Sequence, residues 1–301
     1  MNQNWDDLRY FLAVCRTSSF AAAASRLHVT HSTVARRISD LEESLNTTLF
    51  LRTEKGCRLT PAGETLLPYA EELETTMMTL EENVHGRDSL LSGTVRIGAP
   101  DGLGNCFLAV HLGDFLKKHP HLEIDLIPVP MYYSLTKREI DILITLTKPT
   151  ATHVVSRKMT NYRIGLFASE KYLSGHSEIK SREDLIPHSK LDYIEDLIYD
   201  KHLKFLNEFT SEVNTNFKSS TIVGQMYAAA SGAGIAALPY FLAHTKRDLV
   251  PVLPELYAER SFWLQLNPDS RQLARVRATI DFIVGRIDEN KDQFLTLPGR
   301  G

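Results

Sequence analysis

The sequence predicts an α/β protein in three parts: a small helical head bearing a β-hairpin, a long amphipathic helix, and a doubly wound α/β region filling the rest of its 301 residues. Three observations predict this. Short apolar stripes at helical spacing crowd into the first 45 residues, ahead of a basic segment centred on a glycine. Between Leu66 and Val84 the apolar steps alternate four and three. After Gly93, short apolar runs of strand character alternate with amphipathic helical ones.

In the head, Leu8, Phe11, Leu12 and Cys15 form one helical stripe. Phe20, Ala23, Ala24 and Leu27 form a second, and Val34, Ile38, Leu41 and Leu45 a third. The alanines at 21–24 let neighbouring helices approach closely. Thr30 stands where an N-cap belongs, just before the third helix. With Val34, Ile38 and Leu41 inward, Thr30, His31, Ser32, Thr33, Arg36 and Arg37 face largely outward. Two short helices joined by a tight turn, the second lined with hydroxyls, imidazole and guanidinium, suit entry into a DNA major groove.

The net charge of the chain is −3, which argues against nucleic acid. The local field argues for it. Residues 8–39 contain no Asp or Glu but hold Arg9, Arg16, Arg26, Arg36 and Arg37. Salt screens charges beyond roughly 10 Å, so the local field decides. The plainer reading is a helical bundle with a solvated basic face.

Residues 49–52 and 57–60 read as two short strands around a turn containing Gly56. They make a basic wing carrying Arg52, Lys55 and Arg58, placed to reach a flanking minor groove or phosphates. Thr60-Pro61 reads as an N-cap and first-turn proline opening a helix over 61–88. Leu66, Ala70, Leu73, Met77, Leu80 and Val84 form its heptad seam, with Pro68 placed to bend it. A lone helix cannot bury such a seam. It requires either a partner helix from a second subunit or the chain's own second domain.

The third part reads as strand 94–99, helix 102–118, strand 122–129, short helix 134–139 and strand 141–146. A second set follows: strand 163–169, a loop-rich region around Tyr193, strand 217–221, helix 223–230 and strand 234–238. A strand over 262–266 and a helix over 270–289 finish the chain. Residues 219–243 are uncharged, but Gln225, Ser231, Gly232, Gly234 and Pro239 interrupt them, so they read as helix, turn and buried strand rather than a membrane span.

Residues 5–62 resemble the winged helix-turn-helix of LysR-type transcriptional regulators. The resemblance is carried by Leu8-Arg-Tyr-Phe-Leu-Ala-Val, Ser19-Phe-Ala-Ala-Ala-Ala-Ser-Arg-Leu, residues 30–38, Leu41-Glu42, Leu45, Leu49-Phe50, Arg52 and Leu59-Thr-Pro-Ala-Gly63. The family usually has Gln where His31 stands and often Ser where Ala35 stands, so a typical member's target sequence does not carry over. Val95-Arg-Ile-Gly, Asp141-Ile-Leu-Ile and Gly232-Ala-Gly-Ile-Ala-Ala-Leu-Pro239 resemble the effector domain of the same regulators, which is similar in fold to periplasmic solute-binding proteins. The resemblance implies a DNA-binding domain over 1–60, a dimerising linker helix over 61–91 and an effector domain over 92–301. The last would hold subdomain I (94–161 plus 266–291) and subdomain II (162–265), crossed twice. It also implies a tetramer built as a dimer of dimers.

In such a sheet, ligands bind beyond the carboxyl ends of strands, at a topological switch point. Pro100, Asp101 and Gly102 lie there, entering a helix N-terminus whose free amides favour an anion. Asp101 either caps that helix or meets a cationic group of the ligand. Ser134 and Thr145 are expected to face the same cleft, with Phe167, Ser169 and Gln225 opposite. The alternative for each is ordinary capping or core packing.

Nothing points to catalysis. The chain has no Gly-x-Ser-x-Gly, no phosphate loop and no HExxH; Gly102-Leu-Gly104 lacks the third glycine of a dinucleotide fingerprint. His119-Pro-His121 reads as a plain loop, and the 11 histidines lack ligand spacing. Cys15, Cys57 and Cys106 are scattered, which fits a reducing compartment without a disulfide framework. The residues around Met1 lack a basic start and an apolar run, so no secretory signal or membrane association is expected. No cofactor or metal is expected either.

The sequence therefore predicts a cytoplasmic, effector-responsive transcriptional regulator, a homodimer or homotetramer on double-stranded DNA with an imperfect inverted-repeat operator, with RNA polymerase as a further partner. The second reading is a cytoplasmic small-molecule binding or structural DNA-binding protein without transcriptional role. A promoter footprint shifted by a metabolite separates them.

Overall fold

The computed structural model describes residues 5–53, 56–84, 91–128, 140–149, 155–198, 200–210, 214–266 and 270–299. Two compact units divide the chain near residue 89.

The first unit begins with helices α1 (Trp5–Thr17), α2 (Phe20–Arg26) and α3 (His31–Ser44). Phe11, Val14, Ala23 and Val34 are fully buried at their meeting point; of the four alanines, Ala23 and Ala24 bring α2 close to its neighbours, while Ala21 and Ala22 are exposed. Each short helix starts on a hydroxyl: Ser19 Oγ accepts from Ala22 N at 3.3 Å, and Thr30 Oγ1 from Thr33 N at 3.2 Å.

The wing is an antiparallel pair, β1 (Phe50–Thr53) and β2 (Gly56–Leu59), with Phe50 opposite Leu59. It is held to the helices from both ends. Glu42 on α3 accepts from Leu49 N at 2.6 Å and Phe50 N at 3.2 Å. Cys57 N donates to Ser18 O at 3.0 Å. Gly56 has φ +131°, and a Cβ there would lie 2.3 Å from Ser18 O, so glycine is required.

Thr60 then closes the head. Its hydroxyl donates to Thr48 O at 2.7 Å and accepts from Gly63 N at 3.1 Å, capping α4 (Pro61–Val84). Pro68 lies inside this helix. Arg16, at the end of α1, meets Glu74 of α4 through two parallel bonds, Nη1–Oε1 at 3.0 Å and Nη2–Oε2 at 2.5 Å. Both side chains are nearly buried, at 15% and 12% exposure. The pair joins the head to a point midway along the long helix.

The second unit is built on one mixed eight-stranded sheet of order β4-β3-β5-β10-β6-β9-β7-β8. Its first half has β3 (Ser92–Ala99), parallel to both β4 (His121–Pro128) and β5 (Ile142–Thr145). A continuous helical run follows β3: α5 (Asp101–Leu103), a π-helical turn (Gly104–Leu108) and α6 (Ala109–Lys118). The predicted helix over 102–118 is thus one rod with a bulge in its first third. The short helix expected over 134–139 lies outside the described residues.

The second half has β7 (Lys190–Tyr193) parallel to β8 (Thr215–Ser219) and to β9 (Ile235–Pro239). Two short helices escape the sequence pattern: α7 (Glu170–Ser174) and α9 (Tyr240–Ala243). Between β8 and β9 runs α8 (Ile222–Ser231), capped by Thr221 and ended by Gly232 at φ +96°.

Two long antiparallel strands, β6 (Val155–Ser169) and β10 (Leu249–Leu266), join the halves. The apolar pattern marks only their buried ends. Toward the first half, Leu266 pairs with Ile142 and Trp263 with Thr145; toward the second, Ile164 pairs with Pro239. Helices α10 (Ala274–Glu289) and α11 (Lys291–Leu295) finish the unit. Phe282 stacks on Phe115 of α6 at 4.7 Å, and Phe294 lies between Phe107 and Phe241 at 5.0 and 4.9 Å. The uncharged stretch 219–243 contains α8, β9 and α9. No helix among the described residues is long and apolar enough to cross a membrane.

A candidate nucleic-acid interface and an effector cleft

The recognition face starts at the N-terminus of α3. Val34, Ile38 and Leu41 point into the core and leave His31, Ser32 and Arg36 exposed on the opposite side. The hydroxyls cluster at the helix start: Thr30 Oγ1 lies 2.9 Å from both Ser32 Oγ and Thr33 Oγ1 while holding its cap bond. Thr33 is half-buried. Arg36 has no ion-pair partner among the described residues, which leaves it available to a base edge or phosphate.

Arg37 departs from the sequence expectation. It is half-buried, lies 3.1 Å from Asp7 and 3.7 Å from Asp6 on α1, and covers the ring of Tyr10 at 5.8 Å. Asp7 is itself buried, so this pair fastens the recognition helix to α1. The partner lies 30 residues away, beyond what local patterning shows.

Between the start of α3 and the wing lies a notch of about 260 Å³. Ser19, Phe20 and Ala21 form one wall, Thr53 and Gly56 the other, and His31 stands in it with its ring 6.1 Å from that of Phe20. The sequence does not single out Ser19 or Thr53; Ser19 is legible there only as the hydroxyl opening the alanine run, and it caps α2. On the wing, Arg58 is exposed. The Arg52 side chain and Lys55 lie outside the described residues.

The seam of α4 divides. Ala70 is fully buried and Leu66, half-buried, packs against the head's own core, so both already serve the fold of the single chain. Beyond the head, Leu73, Met77 and Leu80 remain 47%, 37% and 53% exposed, with Tyr69 beside them at 62%. The Val84 side chain lies outside the described residues.

In the second unit a cavity opens where strand ends of the two halves meet. Pro100, Asp101 and Gly102 line it, as expected. The rest of its wall comes from Leu146, Tyr162, Tyr193, Phe205, Phe241 and Phe262, among others. These aromatics fill it: Tyr162 stacks on Phe262 at 4.2 Å, and about 20 Å³ remains free, close to the room one water needs. Their spacing in sequence carries no pattern, because each comes from a separate stretch of the chain.

Asp101 caps a helix, but one 122 residues away in the chain. Its Oδ2 accepts from Val223 N at 3.3 Å at the start of α8, and the amides of Gly102 and Ile222 also bond it. Burial pushes its carboxyl above the usual carboxylate range, while these amides pull it down.

The remaining expected pocket residues stand elsewhere. Phe167 is fully buried on β6 against Tyr240, at 5.9 Å. Ser169 is buried as the cap of α7, accepting from Tyr172 N at 3.2 Å. Thr145 donates to Thr147 O and accepts from Gln265 Nε2, both at 2.8 Å, while its neighbour Leu146 lines the cavity. Gln225 is buried on α8 and does not line the cavity either. Ser134 lies outside the described residues.

The described residues hold no group of three His, Cys, Asp or Glu placed to bind a metal. The cysteines are free thiols, and burial pushes that of Cys15 up to about 12.

Comparison with known proteins agrees with the division into head and α/β unit. Residues 5–64 match the bacterial regulatory helix-turn-helix protein family of lysR type, and residues 88–288 match the LysR substrate binding domain. The chain is 28% identical to the HTH-type transcriptional regulator DmlR of Escherichia coli over 289 residues, 92% of each protein. It is 36% identical to HdfR of Yersinia enterocolitica over 166 residues, spanning about half of each: 54% of this chain and 56% of that protein. A full-length OxyR variant from Pseudomonas aeruginosa shares the fold, with a TM-score of 0.70, 18% identity and 95% of each chain covered. The head that presents α3 beside a wing, and the two-halved α/β unit that follows it in sequence, are those of a DNA-binding transcriptional regulator with an effector-binding domain, and the chain belongs to the LysR family.

Proposed function

We propose that this chain binds an imperfect inverted-repeat operator in the cytoplasm as a dimer or a dimer of dimers, and that a small molecule in the cleft of its α/β unit adjusts that binding. The carrying observation is the exposed face of His31, Ser32 and Arg36 on α3, set beside a basic wing on a head whose own helix leaves Leu73, Met77 and Leu80 uncovered. One head reads one half-site. The uncovered seam supplies a second head through a two-fold axis, which makes the operator palindromic.

The effector works by binding one arrangement of subunits more tightly than another, so that DNA bending or contact with RNA polymerase changes. The chain itself carries no catalytic step. The test is a footprint of the full-length protein on genomic fragments, repeated with Arg36→Ala. We expect protection of two half-sites about one or more helical turns apart, weakened by the substitution. A uniform coating without preferred positions would overturn the reading.

A further inference from the structure

Taking the cleft as the ligand site, we propose that Asp101 acts as a built-in carboxylate that excludes anionic ligands, so that the cleft selects neutral, largely apolar molecules. The first observation is where the carboxylate sits. An α-helix presents free amides at its first turn, and those of α8 lie beside the cleft, where an acid or phosphate would bind. Here they are taken. Val223 N bonds Asp101 Oδ2 at 3.3 Å, Ile222 N bonds the same side chain, and Gly224 N bonds Thr221 Oγ1 at 3.1 Å. An arriving anion would find no donor in that turn and would meet the acceptor oxygens that already hold those amides.

The second observation is the wall. Apart from Asp101 and the hydroxyls of two tyrosines, the cavity is lined by hydrocarbon and aromatic ring. Its free volume, about 20 Å³, admits a ligand only as those rings turn aside. A ligand that replaces ring–ring contacts with its own apolar surface recovers what is lost; one that carries charge does not. Gly102 fixes this arrangement. A Cβ there would fall 2.7 Å from Ile222 Cγ2, so the backbone beside Asp101 approaches α8 closely enough for the carboxylate to reach the amides.

The experiment uses three probes that share one ring: benzoate, benzyl alcohol and benzylamine. Each is titrated into the full-length wild type and into Asp101→Ser, followed by the backbone NMR shifts of Ile222 and Val223 and by melting temperature. In the wild type we expect benzyl alcohol to bind at least tenfold more tightly than either charged probe. In Asp101→Ser, benzoate should gain at least tenfold relative to benzyl alcohol and shift both amides. Wild type binding benzoate through those amides, or Asp101→Ser gaining nothing, would overturn the proposal; so would preferential binding of benzylamine, which would make Asp101 a cation acceptor. Should the serine variant fold poorly, Asp101→Asn removes the charge but keeps an oxygen on those amides, and must still bind benzoate more tightly than the wild type does, without shifting them. Operator affinity is measured on the same preparations. Its absence in the wild type would defeat the regulator reading, whereas the probe titration bears on the cleft alone.

Discussion

Replacing Leu73 and Leu80 together with lysine tests the assembly from the exposures themselves. Fully burying a leucine stabilises by about 1.5–3 kcal/mol. With 47% and 53% of their surface still open, each has about half of that left to gain. Two positions on two chains then contribute roughly 3–6 kcal/mol to a pairing of helices. Four ammonium groups in the seam remove this and add repulsion. At about 1.4 kcal/mol per tenfold, the dissociation constant should rise by about 100-fold to 10,000-fold. Sedimentation velocity of the full-length chain over a range of concentrations reads the change as loss of one step of assembly. Gel shifts on one- and two-half-site DNA should show that the advantage of the second half-site disappears. Because both side chains are exposed in the single chain, any fall in melting temperature should come from lost pairing and should shrink as protein concentration falls. An unchanged mass and an unchanged two-site advantage would refute the claim that this seam pairs subunits.

Arg36→Ala should weaken operator binding by about 1–3 kcal/mol at unchanged melting temperature, while Arg37→Ala should chiefly lower stability, by about 1–3 kcal/mol, through stranding Asp7; gel shifts and thermal melts of both variants separate the roles. Gly63→Ala should destabilise the head, because its Cβ would lie 2.4 Å from Leu49 O and 2.7 Å from a Leu59 methyl carbon, and a lowered melting temperature reads this out. Folding raises the Cys15 thiol from 9.0 to about 12. The folded state therefore holds that proton more tightly. The contribution is complete below about pH 9 and is lost as pH rises from about 9 toward 12. Denaturant titrations across that range should show a steeper decline for wild type than for Cys15→Ala.

Local chemistry makes the head legible: Thr30 and Thr60 announce helix starts, Gly56 the wing turn, and Val34, Ile38 and Leu41 the buried side of α3. Distant pairing is what the sequence hides. Arg37 looks like a free cation until Asp7 is placed beside it, and the heptad spacing of Leu66 does not show that it also packs against the head's core. In the α/β unit, alternation marks the strands but not their reach. β6 and β10 run on through Arg157, Lys158, Glu255 and Glu259, whose charges break the apolar pattern, and β10 is interrupted by an irregularity between Val252 and Tyr257. The cleft is legible at Pro100–Gly102 because strand ends in such sheets gather ligands. Phe167 and Ser169 defeat the same reasoning because β6 turns one into the core and ends at the other, where it becomes a helix cap.

The bidentate Arg16–Glu74 pair has a mechanical consequence. It ties the head to the middle of α4, a second attachment besides the capped junction at Thr60. A helix of 24 residues is about 36 Å long. Tilting such a stalk by about 5° would sweep its tip through about 3 Å, about the length of one hydrogen bond. In the proposed pairing, small reorientations between stalks would reach the duplex through that tie as altered half-site spacing or curvature.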